Sequence, residues 1–248
     1  MMDDRSSEIV FGRNAVAEVL RSSRPVDSIL VARGERTGSL VRIVAQAREK
    51  GLVVKEVDSK KLDYLSAHGN HQGIAASCAV KEYSTVEDIL AYARERGEEP
   101  FVVVCEGIED PHNLGAVIRT AEAAGVHGVI VPQRHSAPLS FAVEKASAGA
   151  VEYMRVARVV NITALLKQLK KEGLWIYCAD MDGTPYDSAD ISGAVAILIG
   201  SEGSGVSRLA KENCDFCLSI PMSGRINSLN ASVAAGILIF EAAKKRRG

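Results

Sequence analysis

The sequence predicts an α/β protein in two parts: a small N-terminal α/β domain and a larger C-terminal domain built on a mostly parallel sheet. Three observations carry this. From Phe101 onward, short apolar segments of strand length alternate with helical ones, and strands so uniformly apolar belong in a sheet covered on both faces. Residues 1–80 carry a shorter alternation of their own. Between the two, Lys81–Pro100 changes texture, with three basic and six acidic residues. At 248 residues, 47% of them apolar, the chain has room and material for two ordinary cores.

Taken in order, the first part reads as a helix over Asn14–Arg21, a strand at Ser28–Val31 and a second helix at Ser39–Lys50, stopped by Gly51. A strand at Leu52–Val57, a short helix at Ser59–Leu65 and a strand at Ile74–Val80 complete it. The polar stretch His68-Gly-Asn-His-Gln-Gly73 precedes the last strand; such residues suit contact with a ligand and equally make a simple turn. Lys81–Pro100 holds one helix, Val86–Arg96, and its charge reads as a connector rather than part of a core. The expected organisation is therefore 1–80, a linker at 81–99, and a second domain at 100–248. In the last, strands are expected at Phe101–Cys105, Gly128–Val131, Trp175–Ala179, Val195–Gly200 and Phe216–Ile220. Helices are expected at Leu114–Ala124, Phe141–Ser147, Ile162–Glu172 and Ser207–Asn213, with a last one from Asn230 to about Arg246.

Composition excludes several classes. Net charge is −1, so no global basic field announces a nucleic-acid partner, although a local patch is enough to attract phosphate. No apolar run is long enough to span a membrane, and the N-terminus is polar and acidic, so a cytoplasmic protein is expected. Five cysteines at 78, 105, 178, 214 and 217 are expected to stay reduced. Cys214-x-x-Cys217 has no second ligand pair, so no metal is expected.

In α/β sheets ligands bind beyond the carboxyl ends of the strands, and three such ends carry polar loops. The first runs from Glu106 through Asp110, Asn113 and Gly115 into a helix bearing Arg119 and Glu122. The second is Gly200-Ser-Glu202-Gly-Ser-Gly205. The third is Ser219–Gly236, broken at Pro221, with Met222, Ser223, Arg225, Asn227, Ser228 and Asn230 as hydrogen-bonding or contact groups. Asn230 is a candidate N-cap for a helix that opens on small residues, Ala231, Ser232, Ala234, Ala235 and Gly236. The glycines of the second loop fall in the wrong order for a dinucleotide fingerprint, and Glu202 would oppose a pyrophosphate. No Gly-Lys-Ser/Thr supports a Walker loop. A glycine loop with a carboxylate fits a neutral or positive ligand, and a sulfonium cofactor meets that condition. Each loop alone also has a bland reading, as a turn or a surface ion pair; three together at strand ends do not.

The segments DPHNLGAVIRTAEAAG (110–125), ILIGSEGSG (197–205) and SIPMSGRINSLNASVAAG (219–236) resemble, in order, the three motifs of the SpoU, or TrmH-like, RNA ribose 2′-O-methyltransferases. FGRNAV and HGNHQGIAA in the first part resemble the RNA substrate-binding domain that precedes the catalytic domain in many members. Within the family the chain looks most like the RlmB-like subgroup, which acts on a guanosine of large-subunit ribosomal RNA. The resemblance implies a C-terminal domain with a deep trefoil knot, a homodimer, and S-adenosylmethionine as cofactor, with RNA rather than DNA or membrane as partner. Carried over by motif, cofactor contacts fall at Gly200, Ile220 and Leu229, and polar catalytic positions at Asn113, Arg119, Glu202, Ser228 and Asn230. The last helix, with Val233, Ile237 and Phe240, is expected to help form the dimer. A transfer-RNA methyltransferase and a non-catalytic RNA-binding assembly factor are the alternatives.

Overall fold

A computed structural model describes residues 7–34, 38–225 and 228–247. Asn227, one of the polar residues expected in the third loop, lies outside the described residues. The chain forms two compact units: the chain up to Glu82 together with Ala148–Tyr153, and Tyr83–Ser147 together with everything from Met154 onward.

The first unit contains β1 (Ser7–Phe11), α1 (Arg13–Arg21), β2 (Val26–Ala32), α2 (Ser39–Glu49), β3 (Val53–Val57), α3 (Ser59–Leu65) and β4 (Ile74–Ala79). Its sheet runs β1-β4-β2-β3, with β4 antiparallel to both neighbours and β2 parallel to β3. Apolar residues at helical spacing, Val16 and Leu20 on α1 and Leu40, Ile43, Val44 and Ala47 on α2, pack against Ile29, Val31 and Ala76 of the sheet. The sequence reading missed β1, because its pairing with β4 is non-local and no local periodicity announces it. Ala148–Tyr153 joins this unit through buried charge. The Arg24 guanidinium, 4% exposed, donates to Glu152 at 2.8 Å and to Glu8 at 2.6 Å, while Tyr153 donates its hydroxyl to Glu18.

The second unit contains α4 (Val86–Glu95), β5 (Phe101–Cys105), α5 (Pro111–Ala124), β6 (Gly128–Pro132), α6 (Phe141–Ala146), β7 (Val156–Val159), α7 (Ile162–Lys171), β8 (Trp175–Pro185), β9 (Val195–Ile199), α8 (Arg208–Lys211), β10 (Phe216–Ser219) and α9 (Ala231–Arg246). Its six strands run β10-β8-β9-β5-β6-β7, and every pairing is parallel. β5 and β9 are buried along their whole length, which explains why their sequences, FVVVC and VAILI, carry no alternation.

The strand β7 was not expected, its four residues being too short to show a period, and two further features differ from expectation. The helix α4 is part of the second unit's core: Val86, Ile89 and Leu90 pack with Val102, Ile130 and Leu166. Its apolar positions 86, 89, 90 and 93 follow helical spacing, and the surrounding charge that suggested a connector sits on the solvent side. β8 also runs further than Ala179. Its register with β10 jumps from Cys217 opposite Cys178 to Leu218 opposite Thr184, so residues 179–183 bow out of the ladder.

Candidate active site

The three loops meet at the carboxyl ends of the strands in the second unit, where the second and third line a cavity of about 900 Å³ and the first is tied to them by hydrogen bonds. The first loop starts α5. Asp110 caps the helix by accepting the His112 N–H at 2.8 Å, and Pro111 opens the first turn. That geometry turns Asn113 inward, where it is 7% exposed. Gly115, two residues on, lets α5 lie directly against α6: a Cβ there would stand 2.5 Å from the Ala146 side chain and 2.8 Å from the Val143 carbonyl.

The second loop is a tight reversal in which Ser201 and Gly205 exchange backbone hydrogen bonds at 3.0 and 3.2 Å. Gly200 makes it possible, since a Cβ at that position would fall 2.0 Å from the Gly205 carbonyl carbon. The third loop ends at Asn230, which caps α9 as its type and position predict. Its Oδ1 accepts the N–H groups of Ser232 and Val233 at 2.9 and 3.3 Å.

One hydrogen-bonded cluster joins the three loops. Asn113 donates Nδ2 to Glu202 Oε1 at 2.7 Å. Asn230 donates Nδ2 both to Asn113 Oδ1 at 2.9 Å and to Glu202 Oε1 at 2.5 Å. Each loop supplies one member, so the residues at 113, 202 and 230, separated in sequence by up to 117 positions, form one unit. Glu202 Oε1 accepts both amides, and the carboxylate is thereby held in one orientation while remaining exposed to the cavity.

Gly200, Ile220, Ser228 and Leu229 all line the cavity, as does Glu202. Arg119 does not. It lies exposed on α5, and neither an ion pair with Glu122 nor any other polar contact forms for it among the described residues. The structure thus brings together seven of the eight expected site residues and leaves Arg119 apart.

Other contributors were not assigned roles from sequence. Glu106, at the end of β5, accepts both the backbone N–H and the hydroxyl of Ser207 at 2.8 Å, tying the first loop to the segment that follows the second. Asp180, Met181 and Asp182, in the bowed part of β8, form another wall of the cavity. The polar residues that follow the apolar run Trp175–Cys178 were the available signal, since they too mark a strand end. Asp180 is held by Lys211 at 2.8 Å, and although burial opposes its charge, Lys211 and the Asp182 N–H bring its carboxyl below the ordinary value.

In the first unit the two N-terminal motifs also meet. Gln72, in the left-handed region at φ 51°, accepts the Arg13 N–H on Oε1 at 2.9 Å and the Arg13 Nε–H on its carbonyl at 3.2 Å. His71 accepts the Gly73 N–H on Nδ1, so Nε2 carries the proton that faces Asp63 at 3.1 Å. Both side chains are therefore used to hold the turn. Lys60 and Lys61 on α3 remain exposed.

A fully parallel sheet with a polar cluster and an open cavity at its strand ends defines an enzyme-type α/β ligand site. Comparison with known proteins makes it specific. Residues 100–240 match the SpoU rRNA Methylase family, and residues 9–84 match the RNA 2′-O ribose methyltransferase substrate-binding domain. The chain is 40% identical over 240 residues to YacO of Bacillus subtilis (strain 168), assigned by its name to the TrmH family of tRNA/rRNA methyltransferases, and covers 96% of each sequence. A Staphylococcus haemolyticus protein of the same designation is 42% identical over 239 residues, again with 96% of each covered. Among solved structures, an RNA 2′-O ribose methyltransferase superposes with a TM-score of 0.81 at 27% identity, covering 99% of this chain and 91% of that one. The AdoMet-bound rRNA methyltransferase from Sinorhizobium meliloti gives 0.80 at 26% identity, covering 96% and 87%. The chain belongs to the SpoU/TrmH family of RNA 2′-O-ribose methyltransferases.

Proposed function

We propose that this chain uses S-adenosylmethionine to methylate the ribose 2′-oxygen of a guanosine in large-subunit ribosomal RNA. In this reading it works in the cytoplasm as an RlmB-like homodimer, with its C-terminal loops knotted around the methyl donor. The observation that carries the proposal is the joining of three loops through Asn113, Glu202 and Asn230 beside a cavity of about 900 Å³. The lining suits a positively charged nucleoside. Ile220 and Leu229 offer apolar surface, Gly200 keeps the backbone accessible, and Asp182 and Glu202 bring negative charge where a pyrophosphate would be repelled. The S. meliloti relative is described as AdoMet-bound, which supports the same cofactor here. When bound, S-adenosylmethionine supplies an activated methyl group on a sulfonium centre.

The protein's task is alignment and charge management. Asn113 and Asn230 fix Glu202, backbone groups at Gly200, Ile220 and Leu229 orient the donor, and Ser228 offers a hydroxyl at the cavity. A guanidinium is a poor proton acceptor, so Arg119 is not the base. Its exposed fork suits a phosphate next to the target ribose, where it also stabilises the alkoxide that develops on the 2′-oxygen. Recognition of RNA falls to the first unit, with Lys60 and Lys61 as candidate contacts.

Mass mapping of ribosomal and transfer RNA from cells with and without the gene tests this reading. The expected result is loss of one 2′-O-methylguanosine from large-subunit RNA. Loss confined to transfer RNA overturns the ribosomal assignment, and no loss of any ribose methyl overturns the activity.

A further inference from the structure

A second cavity, of about 630 Å³, opens at the β8–β10 edge of the parallel sheet. Trp175, Tyr177 and Phe216 form part of its lining. Phe216 stacks on Tyr177 with ring centroids 5.0 Å apart, and Trp175 tilts against Phe216 at 5.8 Å. Trp175 is 53% exposed and Phe216 47%, so two large neighbouring rings face solvent. Asp182, Asp190 and Asp215 line the same cavity. Lys170 neutralises Asp215 at 2.7 Å, whereas Asp190 forms no ion pair among the described residues and Asp182 feels Lys211 only through space, without an ion-pair contact. Residues 180–190 hold four aspartates and no lysine or arginine. Finally, β10 is the edge strand, and its outer side is unpaired among the described residues.

We propose that this edge is a docking surface for a basic protein segment that seats an arginine on the Trp175–Phe216 pair. A guanidinium stacks on aromatic faces, and Asp182 and Asp190 supply the opposite charge. The free edge of β10 offers main-chain hydrogen bonds to an extended chain, which a small cation would leave unused. RNA fits this face poorly, because its phosphates would meet the carboxylates of Asp182 and Asp190. Lys245 and Arg246 of α9 are already committed: Lys245 donates to the carbonyls of Asp187 and Ala189, and Arg246 to that of Glu99. The occupant in this proposal is a different protein. The proposal does not depend on the methyl-transfer reading. Because Asp182 and Leu218 face both cavities, the variants below leave them untouched.

Trp175 is the only tryptophan in the chain, so its emission reports this surface alone. The intact protein is titrated at low salt with a short oligo-arginine peptide and with an oligo-lysine peptide of equal length. A saturable change in Trp175 emission is expected with oligo-arginine at several-fold lower concentration than with oligo-lysine. Phe216→Ala should weaken it about tenfold, and Asp190→Asn, a surface change that leaves the rings in place, about threefold. Binding of equal strength in both variants overturns the proposal, as does the lack of any saturable change. A saturable change with single-stranded RNA in place of the peptide, or a shift of emission with protein concentration alone, overturns it in favour of a nucleic-acid or self-association surface.

Discussion

Asn230 shows how much one side chain can organise here. Its Oδ1 caps α9 while its Nδ2 holds Asn113 and Glu202, so helix initiation and site assembly share a residue. Asn230→Asp keeps the cap but faces Glu202 with a second carboxylate in place of a donor. Like charges at this distance cannot both ionise without cost. The expected outcome is at least about a tenfold loss of S-adenosylmethionine affinity by calorimetry, with a melting temperature lowered by the same repulsion. Arg119 stands at the other extreme, exposed and uncommitted. Arg119→Lys keeps the charge and loses the fork, so turnover should fall by about a hundredfold or more while cofactor affinity stays near wild type. Single-turnover methylation beside calorimetry checks this; a wild-type rate would make Arg119 a surface residue only.

At the scale of elements, close approach decides the design. α5 reaches the site because Gly115 lets it lie on α6, and the second loop closes because Gly200 admits the Gly205 backbone. Gly200→Ala would force that loop open, and loss of measurable cofactor binding in a protein that still folds is the expected result. The other element with a clear energetic role is α4. Ile89 is fully buried and its side chain lies where a Cβ on Gly128 would intrude, at 2.5 Å. Ile89→Ala should cost about 2–4 kcal/mol in urea unfolding. A cost near zero would return α4 to the role of connector.

For the whole molecule, the proposed division of labour gives RNA recognition to the first unit and methyl transfer to the second. A protein beginning near Ser84 should bind S-adenosylmethionine and dimerise, yet methylate ribosomal RNA far more slowly than the full chain. A retained wild-type rate would show that the second unit selects its own substrate. Ala148–Tyr153 makes this truncation demanding, because Glu152 would lose its buried partner Arg24. In the full chain the same pair can be tested directly. Glu152→Ala leaves the buried Arg24 guanidinium with Glu8 as its carboxylate partner, an expected loss of about 2 kcal/mol read in chemical denaturation.

Much of the fold was legible in the sequence because the signals are local: apolar runs for buried parallel strands, a glycine stop at Gly51, and a cap at Asn230. The three polar loops were legible as well, since a ligand site in a parallel sheet must lie beyond strand ends. Tertiary structure alone decided what depends on distant partners. β1 exists by pairing with β4, and β7, four residues long, by pairing with β6; neither run is long enough to show a period. The placement of α4 in a core, the bowing of 179–183 and the return of Ala148–Tyr153 to the first unit followed the same rule. So did the division of the site residues. Local sequence marks Asn113, Glu202 and Arg119 alike as polar groups near strand ends. Only the folded chain brings the first two within 2.7 Å and leaves the third facing solvent, because hydrogen-bond partners are set by distance in space and not by distance along the chain.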